Sequence, residues 1–461
     1  ASQLAKASVA ATHTTKKGVS TEITIDRINT HKNYDEVRLH SEKMIFPGKA
    51  EVTLEFSGKI TDQMHGIYPC YYNEKGEKKK LIATQFESHF AREVFPCIDE
   101  PEAKATFDLT VVSAKDQIII ANTDATSSSI NKSRQTVKFE TTPLMSTYLL
   151  AWTVGELEHL QAKTKNGIVV RSYAVKEHVE STQFALDFAV KTLDFYEDYF
   201  GVKYPLSKCD LVALPDFAVG AMENWGLITF REECFYVNDQ TSLHTKQYVA
   251  MVVAHELAHQ WFGNLVTMRW WTDLWLNEGF ASWVEFLAVD KIFPDWQIWD
   301  QFLTDEQQRA LKLDALDNTH PVEVTVSHPD EIRTIFDTIS YSKGASVIHM
   351  LNSYLGADKF QAGLQNYLSK HAYKNTDTID LWTALEETSK MPVVSFMSRW
   401  TNQSGFPILT VSDDTVEQTR FFVDPDHKPD KTTWPIPLGI DNKILESKSD
   451  TVQGDNIYNS D

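Results

Sequence analysis

The sequence predicts a multidomain protein in which an all-β region gives way to a larger mixed α/β region and then to short strands again. Three observations carry that reading. The hydrophobic repeat is two residues in the first third of the chain, lengthens to helical spacing in the middle and shortens again near the end. The length, 461 residues, allows two or three cores, and 42% hydrophobic with 23% charged residues is the balance of a globular chain. The longest apolar runs, such as Tyr148 to Val154 and Tyr248 to Ala254, stop far short of the ~20 residues a bilayer span needs, so no membrane segment is expected.

From about Val19 to Val154, apolar and polar residues alternate over short runs separated by turn residues. Strands are expected at Ser20 to Ile25, Glu51 to Phe56, Phe107 to Val112 and Gln117 to Ala121. Between Ser181 and Ser404 the spacing predicts helices over Phe184 to Phe200, Lys246 to Asn264, Ala281 to Ile292, Trp299 to Leu313, Ser342 to Leu355, Asp358 to Tyr373 and Asp380 to Thr388. Strands at Lys208 to Leu214 and Leu227 to Phe230 fall between the first two helices. Beyond Pro407 come strands at Ile408 to Val411 and Phe421 to Val423, then a polar tail from Ser447 to Asp461. The boundaries expected are 1–157, 158–406 and 407–461, with no internal repeat or low-complexity tract.

A net charge of −20 excludes the basic face that nucleic-acid binding requires. It is compatible with a cationic ligand, although solubility alone accounts for it. Cys70, Cys97, Cys209 and Cys234 are too few and scattered for a disulfide framework or a thiolate metal site. No basic, then apolar, then small-residue pattern opens the chain, so no signal peptide is expected; reduced thiols in a cytoplasm fit best. Composition leaves oligomeric state open. His320, His349 and His371 lack ligand spacing and read as solvated or hydrogen-bonded imidazoles. Trp261, Trp270, Trp271 and Trp275 read as core, and the sequons at Asn131 and Asn402 carry no assigned role.

The run His255-Glu256-Leu257-Ala258-His259, followed after eighteen residues by Glu278, is the most informative feature of the chain. A four-residue step on a helix brings both imidazoles to one face, where they can chelate one zinc ion, and Glu278 supplies an oxygen ligand. Three protein ligands leave a fourth position for water, whose pKa the metal lowers towards neutrality. Glu256, roughly 100° round the helix from His255, can act as general base. The plainer alternative is a histidine pair that merely packs. However, Gln247 to Ala254 is apolar and free of Gly and Pro, so the motif sits in a buried helix where unpartnered His and Glu would be costly.

Around this run lie Gln260-Trp261-Phe262-Gly263-Asn264 and Trp275-Leu276-Asn277-Glu278-Gly279-Phe280-Ala281. Upstream stands Gly220-Ala221-Met222-Glu223-Asn224-Trp225-Gly226, and downstream Tyr341-Ser342-Lys343-Gly344-Ala345. Thr84-Gln85-Phe86-Glu87, Phe95 to Pro101 and Trp400 to Pro407 complete the set. In these ordered segments, from about residue 50 to 410, the chain resembles the gluzincin zinc aminopeptidases, the aminopeptidase N family. The resemblance implies a thermolysin-like α/β catalytic domain behind an N-terminal β-sheet domain, with the start of a β-sandwich after residue 407.

It also implies roles. One zinc ion would be held by His255, His259 and Glu278, with Glu256 activating water. Glu223 and Glu87 would hold the free α-ammonium of a peptide substrate; otherwise they are an exposed loop acid and a solvated strand-edge acid. Gly220, Ala221 and Met222 would lie along the substrate like an added strand, with Gln85 and Met222 shaping the first side-chain pocket. Tyr341 would donate to the oxyanion that forms on the scissile carbonyl; its other reading is a ring packed at a helix start.

The chain also departs from the family. Members usually begin with a larger β domain and continue into a β-sandwich and a large helical domain. This chain stops near the start of the sandwich, and its opening strands look missing or divergent before Glu51, so it reads as a fragment or shortened member. The reading is a zinc aminopeptidase acting on peptides with a free N-terminus. The alternatives are a zinc endopeptidase or epoxide hydrolase on the same scaffold, and a non-catalytic interaction module.

Overall fold

The computed structural model describes residues 9–451 apart from 15–19, 413, 428–429 and 439–442. The expected start of the β region at Val19 and the end of the polar tail lie outside the described residues.

The N-terminal region is built of antiparallel sheets. One three-stranded sheet pairs Val9–Thr14 with Ser20–Ile23 and Lys49–Leu54, and another pairs Thr110–Ala114 and Ala125–Asn131 with Arg134–Phe139. A four-stranded sheet is the one that matters for the site. It comprises β1 (Gly66–Glu74), β2 (Glu77–Gln85), β3 (Ile118–Ala121) and β4 (Trp152–Gly155), in the order β1-β2-β4-β3. Tyr68, Cys70, Leu81 and Ala83 alternate along β1 and β2 into one core. That core is shared with the helices that follow.

A five-stranded sheet opens the mixed α/β region: β5 (Glu158–Lys163), β6 (Val169–Ala174), β7 (Lys208–Leu214), β8 (Ala221–Met222) and β9 (Leu227–Arg231), in the order β5-β6-β7-β9-β8. The pairs β6–β7 and β7–β9 are parallel, while β8 runs antiparallel to β9 at the edge. All seven residues of β7 are buried, including Lys208 and Asp210, whose charges pair at 2.7 Å, and Leu211 to Leu214 form its apolar part.

Among the described residues there are eight longer helices: α1 (Gln183–Phe200), α2 (Leu243–Ala258), α3 (Trp275–Ile292), α4 (Gln308–Asp314), α5 (Gly344–Leu355), α6 (Ala357–His371), α7 (Thr378–Ser389) and α8 (Val393–Thr401); the first seven fall where the spacing predicts helices, and α8 is not predicted. Four differences bear on the site or its surroundings. Helix α2 ends at Ala258 rather than Asn264, because Gly263 takes a φ of 129° and the chain turns back with Gly263 N–H donating to Val266 O. Helix α3 begins at Trp275, not Ala281, so Glu278 sits in its first turn; its residues are apolar on nearly all sides, which hides the periodicity. The stretch expected as one helix from Trp299 is interrupted by a π-type turn at Phe302–Gln307, and Tyr341 lies inside another at Ile339–Lys343.

After residue 406 the chain forms β10 (Pro407–Ser412), β11 (Thr415–Arg420) and β12 (Ser449–Thr451) in one antiparallel sheet. The strand expected at Phe421–Val423 does not form: the pairing stops at Arg420, and Val423 N–H donates instead to Ala315 O. Ser449–Thr451, expected as polar tail, is paired with β11. Among the described residues, no helix is long and apolar enough to cross a membrane.

Candidate metal centre

Helix α2 is started by Ser242, whose hydroxyl accepts from Thr245 N–H, and it delivers His255 and His259 from its last turn and C-cap. Helix α3 packs across it and delivers Glu278. Nε2 of His255 and Nε2 of His259 stand 3.0 Å apart, and Glu278 Oε2 is 3.3 Å from the first and 3.4 Å from the second. Ligand atoms on a tetrahedral ion with bonds of 2.0–2.1 Å are separated by about 3.3 Å, so the three atoms already have the spacing of one tetrahedral face.

The proton inventory agrees. His255 Nδ1 is 2.7 Å from Glu285 Oε2, and His259 Nδ1 is 3.0 Å from Phe262 O, so each Nδ1 is placed to donate and each Nε2 to present a lone pair. Two facing lone pairs beside a carboxylate form a cation site. The surrounding carboxylates favour positive charge here: burial opposes charge on His259, but Glu223 and Glu278 outweigh it and raise its pKa to about 9. Burial likewise opposes charge on Glu278, yet His259 and His255 hold it well below the usual carboxylate range.

Of the other site residues predicted from sequence, Gly220, Ala221, Glu256 and Tyr341 line one cleft with His255, and Glu87 and Glu223 lie close enough to feel the charge of Glu278. Glu256 is buried, has one carboxylate oxygen without a partner, and is pushed up to about 8 by burial against the pull of His255 and His259. The Tyr341 ring lies 6.0 Å from the His255 ring at 11°, and burial followed by the Glu278 charge raises its phenol well above the ordinary value. Gln85 Nε2 donates to Met222 Sδ at 3.2 Å, joining the end of β2 to the edge strand β8. Gly220 and Ala221 line a cleft of about 650 Å³ with His255, Glu256 and Tyr341. Glu223 and Glu87 each keep a buried carboxylate oxygen without a hydrogen-bond partner, and burial followed by the Glu223 charge raises Glu87.

Four supporting residues escaped the sequence reading. Glu285 holds His255; it lies seven residues after Glu278, on the same face of α3, so helical spacing was its available signal. Gln260 Nε2 and Asn264 Nδ2 both donate to Glu223 O, at 3.1 and 2.9 Å, and so fix the backbone of the proposed amine anchor. Tyr148 donates to Gly263 O and accepts from Asn277 Nδ2, both at 3.4 Å, closing the floor between the two ligand-bearing segments. His320 is paired with Asp337, and Trp261, Trp271 and Trp275 are buried core. The four cysteines are free.

Two ligands from the end of one helix and a glutamate from the first turn of the next define a gluzincin-type site for a single zinc ion. The sequence matches the peptidase family M1 domain over residues 184–400 and the peptidase M1 N-terminal domain over residues 4–149. The chain belongs to the M1 family of gluzincin aminopeptidases. The N-terminal match begins at residue 4, so the similarity reaches upstream of Glu51 and takes in the opening strands. Among relatives, "Aminopeptidase M1" of Arabidopsis thaliana is 47% identical over 429 residues, covering 90% of this chain and 48% of that protein. "Aminopeptidase N" of Lactococcus lactis subsp. lactis is 49% identical over 420 residues, covering 89% and 49%. "Puromycin-sensitive aminopeptidase" of Caenorhabditis elegans is 47% identical over 406 residues, covering 86% and 43%. The chain thus spans about half the length of these relatives.

Proposed function

We propose that the protein is a zinc-dependent aminopeptidase that hydrolyses the first peptide bond of peptides with a free N-terminus. The observation that carries the exopeptidase reading is the pair of buried carboxylate oxygens without partners, Glu87 Oε1 and Glu223 Oε1. Such groups are costly unless a donor or cation meets them, and a substrate α-ammonium supplies both in one group. When bound, zinc supplies a Lewis acid that polarises a carbonyl and makes water acidic. Glu256 takes the proton of the attacking water and delivers it to the leaving amine. The Tyr341 hydroxyl donates to the oxyanion growing on the scissile carbonyl. The free edge of β8 pairs with the extended substrate, and Gln85 with Met222 shapes the first side-chain pocket.

In this reading residues 158–406 are the catalytic domain, 1–157 the β domain that contributes Gln85 and Glu87, and 407–461 the start of a β-sandwich. Four free thiols favour a reducing compartment such as the cytoplasm.

The test is release of a fluorescent arylamine from amino-acid arylamides, with and without a chelator and with Glu256→Ala. Chelator-sensitive, Glu256-dependent turnover that disappears on N-acetylated substrates is expected. Cleavage of N-acetylated peptides would make it an endopeptidase. Stoichiometric zinc without turnover would favour a non-catalytic role.

A further inference from the structure

Tyr341 sits in a π-type turn, a geometry that needs support from outside the helix. Three contacts give it. Asp337 Oδ1 accepts from Ile339 N–H and Ser340 N–H at 2.9 and 3.2 Å, and Ser342 Oγ donates to Glu306. The third is a buried ion pair: Lys343 Nζ is 2.7 Å from Asp314 Oδ2 on α4, and it also donates to Gly405 O at 3.1 Å and Gln403 O at 3.3 Å. Asp314 Oδ1 accepts from Gly405 N–H at 2.8 Å and Thr319 Oγ1 at 3.1 Å, so both charges are fully partnered.

The opposite side of this segment is fixed differently. Gly344 and Gly279 face each other where α5 crosses α3; a Cβ added to either would stand 3.2 Å from the other's Cα, and one on Gly279 would also stand 3.2 Å from Ser340 O. Neither has a positive φ, so close backbone approach, not conformation, calls for glycine here. Gly279 follows the metal ligand Glu278 directly, and Gly344 stands three residues after Tyr341. The glycine contact therefore sets how closely the tyrosine segment lies against the ligand helix. The ion pair holds that segment from behind, through residues 403–405, at the end of the catalytic region.

We propose that Lys343 and Gly344 are positioning residues that fix the Tyr341 phenol against the metal ligand Glu278, so that residues 403–405 act on the reaction through the Lys343–Asp314 pair. This rests on the oxyanion role proposed for Tyr341. A methyl group on Gly344 would push the two backbones apart by about half an ångström to reach ordinary carbon contact. Displacement of about 1 Å can cost ~100-fold in rate, so Gly344→Ala is expected to lower kcat ~10-fold, and Lys343→Met ~10- to 100-fold.

The experiment measures kcat and KM on an arylamide for Lys343→Met and Gly344→Ala in the parent chain and in the Tyr341→Phe background. Expected are those losses in kcat with KM within ~2-fold in the parent, shrinking to less than ~3-fold when the phenol is absent. Equal losses in both backgrounds, or none, overturn the proposal. If Lys343→Met fails to fold, Gly344→Ala, which retains every charge, carries the comparison. An independent readout is the ¹⁹F resonance of 3-fluorotyrosine at position 341, which should shift in both variants while zinc content stays stoichiometric. An unchanged resonance overturns the proposal even if the parent chain proves inactive, whereas absent turnover with a shifted resonance counts against the functional reading alone.

Discussion

Replacing Glu285 weakens zinc binding without removing a ligand. Its carboxylate lies 2.7 Å from His255 Nδ1, and this bond keeps the proton on Nδ1 and turns the Nε2 lone pair toward His259 and Glu278. Loss of such an outer partner costs roughly 10- to 100-fold in metal affinity, which is about 1.4–2.7 kcal/mol. The structure orders the variants within that range. Glu285→Gln keeps an acceptor for Nδ1–H and loses only the charge, so ~10-fold is expected. Glu285→Leu leaves a buried N–H with no acceptor and should approach ~100-fold. His259 is the internal contrast, because its Nδ1 bonds to a backbone carbonyl that no side-chain substitution removes. Competition against a chromophoric chelator measures the zinc Kd directly. A folded Glu285→Leu chain with a Kd within twofold of the parent would refute the argument.

Three other outcomes are expected. Tyr341→Phe lowers kcat ~100-fold with little change in KM on arylamides; a loss below fivefold removes the oxyanion role. Asn122→Ala breaks the bonds from Nδ2 to Leu149 O (2.7 Å) and Trp225 O (2.8 Å) and from Ala151 N–H to Oδ1 (2.8 Å), costing about 3 kcal/mol at ~1 kcal/mol each; urea unfolding tests this, and a loss under ~1 kcal/mol rejects it. Burial lowers Lys104 to about 7, so between that value and the unfolded 10.5 the unfolded chain binds more protons and stability rises with pH. Lys104→Met removes this slope, raising Tm most near neutral pH and below; equal effects at pH 6.5 and 10.5 would contradict it.

The parts of the site legible in the sequence are those whose geometry is local. His255 and His259 share one helix, so their spacing alone fixes a common face, and the Gly220 to Gly226 segment falls between two predicted strands. What escaped depends on residues far apart in the chain. Nothing in Ile339-Ser340-Tyr341-Ser342-Lys343 announces a π-type turn, because its supports come from Glu306, Asp314 and Gly405. Gln260 and Asn264 stand inside the most informative motif, yet their purpose is visible only once Glu223 O is found within 3.1 Å of each. At Phe421–Val423 an apolar run suggested a strand, but its backbone turns to Ala315 instead of extending the sheet. The first turn of helix α3 is hidden for the opposite reason: all its residues are buried, Asn277 and Glu278 included, so no solvated face marks it.

The site stands at a seam, and this dictates how it works. The metal ligands and Glu256 come from two packed helices whose core is continuous with both the five-stranded sheet and the N-terminal sheet. Gln85 and Glu87, by contrast, come from the end of β2 in the N-terminal region, and Asn122 from that region binds the carbonyl of Trp225, two residues after Glu223. Glu223 is therefore held from both sides: through its own carbonyl by Gln260 and Asn264 of the zinc segment, and through the following loop by Asn122. An exopeptidase needs a fixed distance between the metal and the amine anchor, because that distance counts residues from the substrate terminus. Here it is set by bonds that cross the seam rather than by either region alone. Residues 158–406 separated from 1–157 would keep all three zinc ligands but lose Glu87 and the Asn122 bonds. On the proposed function, selectivity for a free N-terminus would then fail before metal binding did.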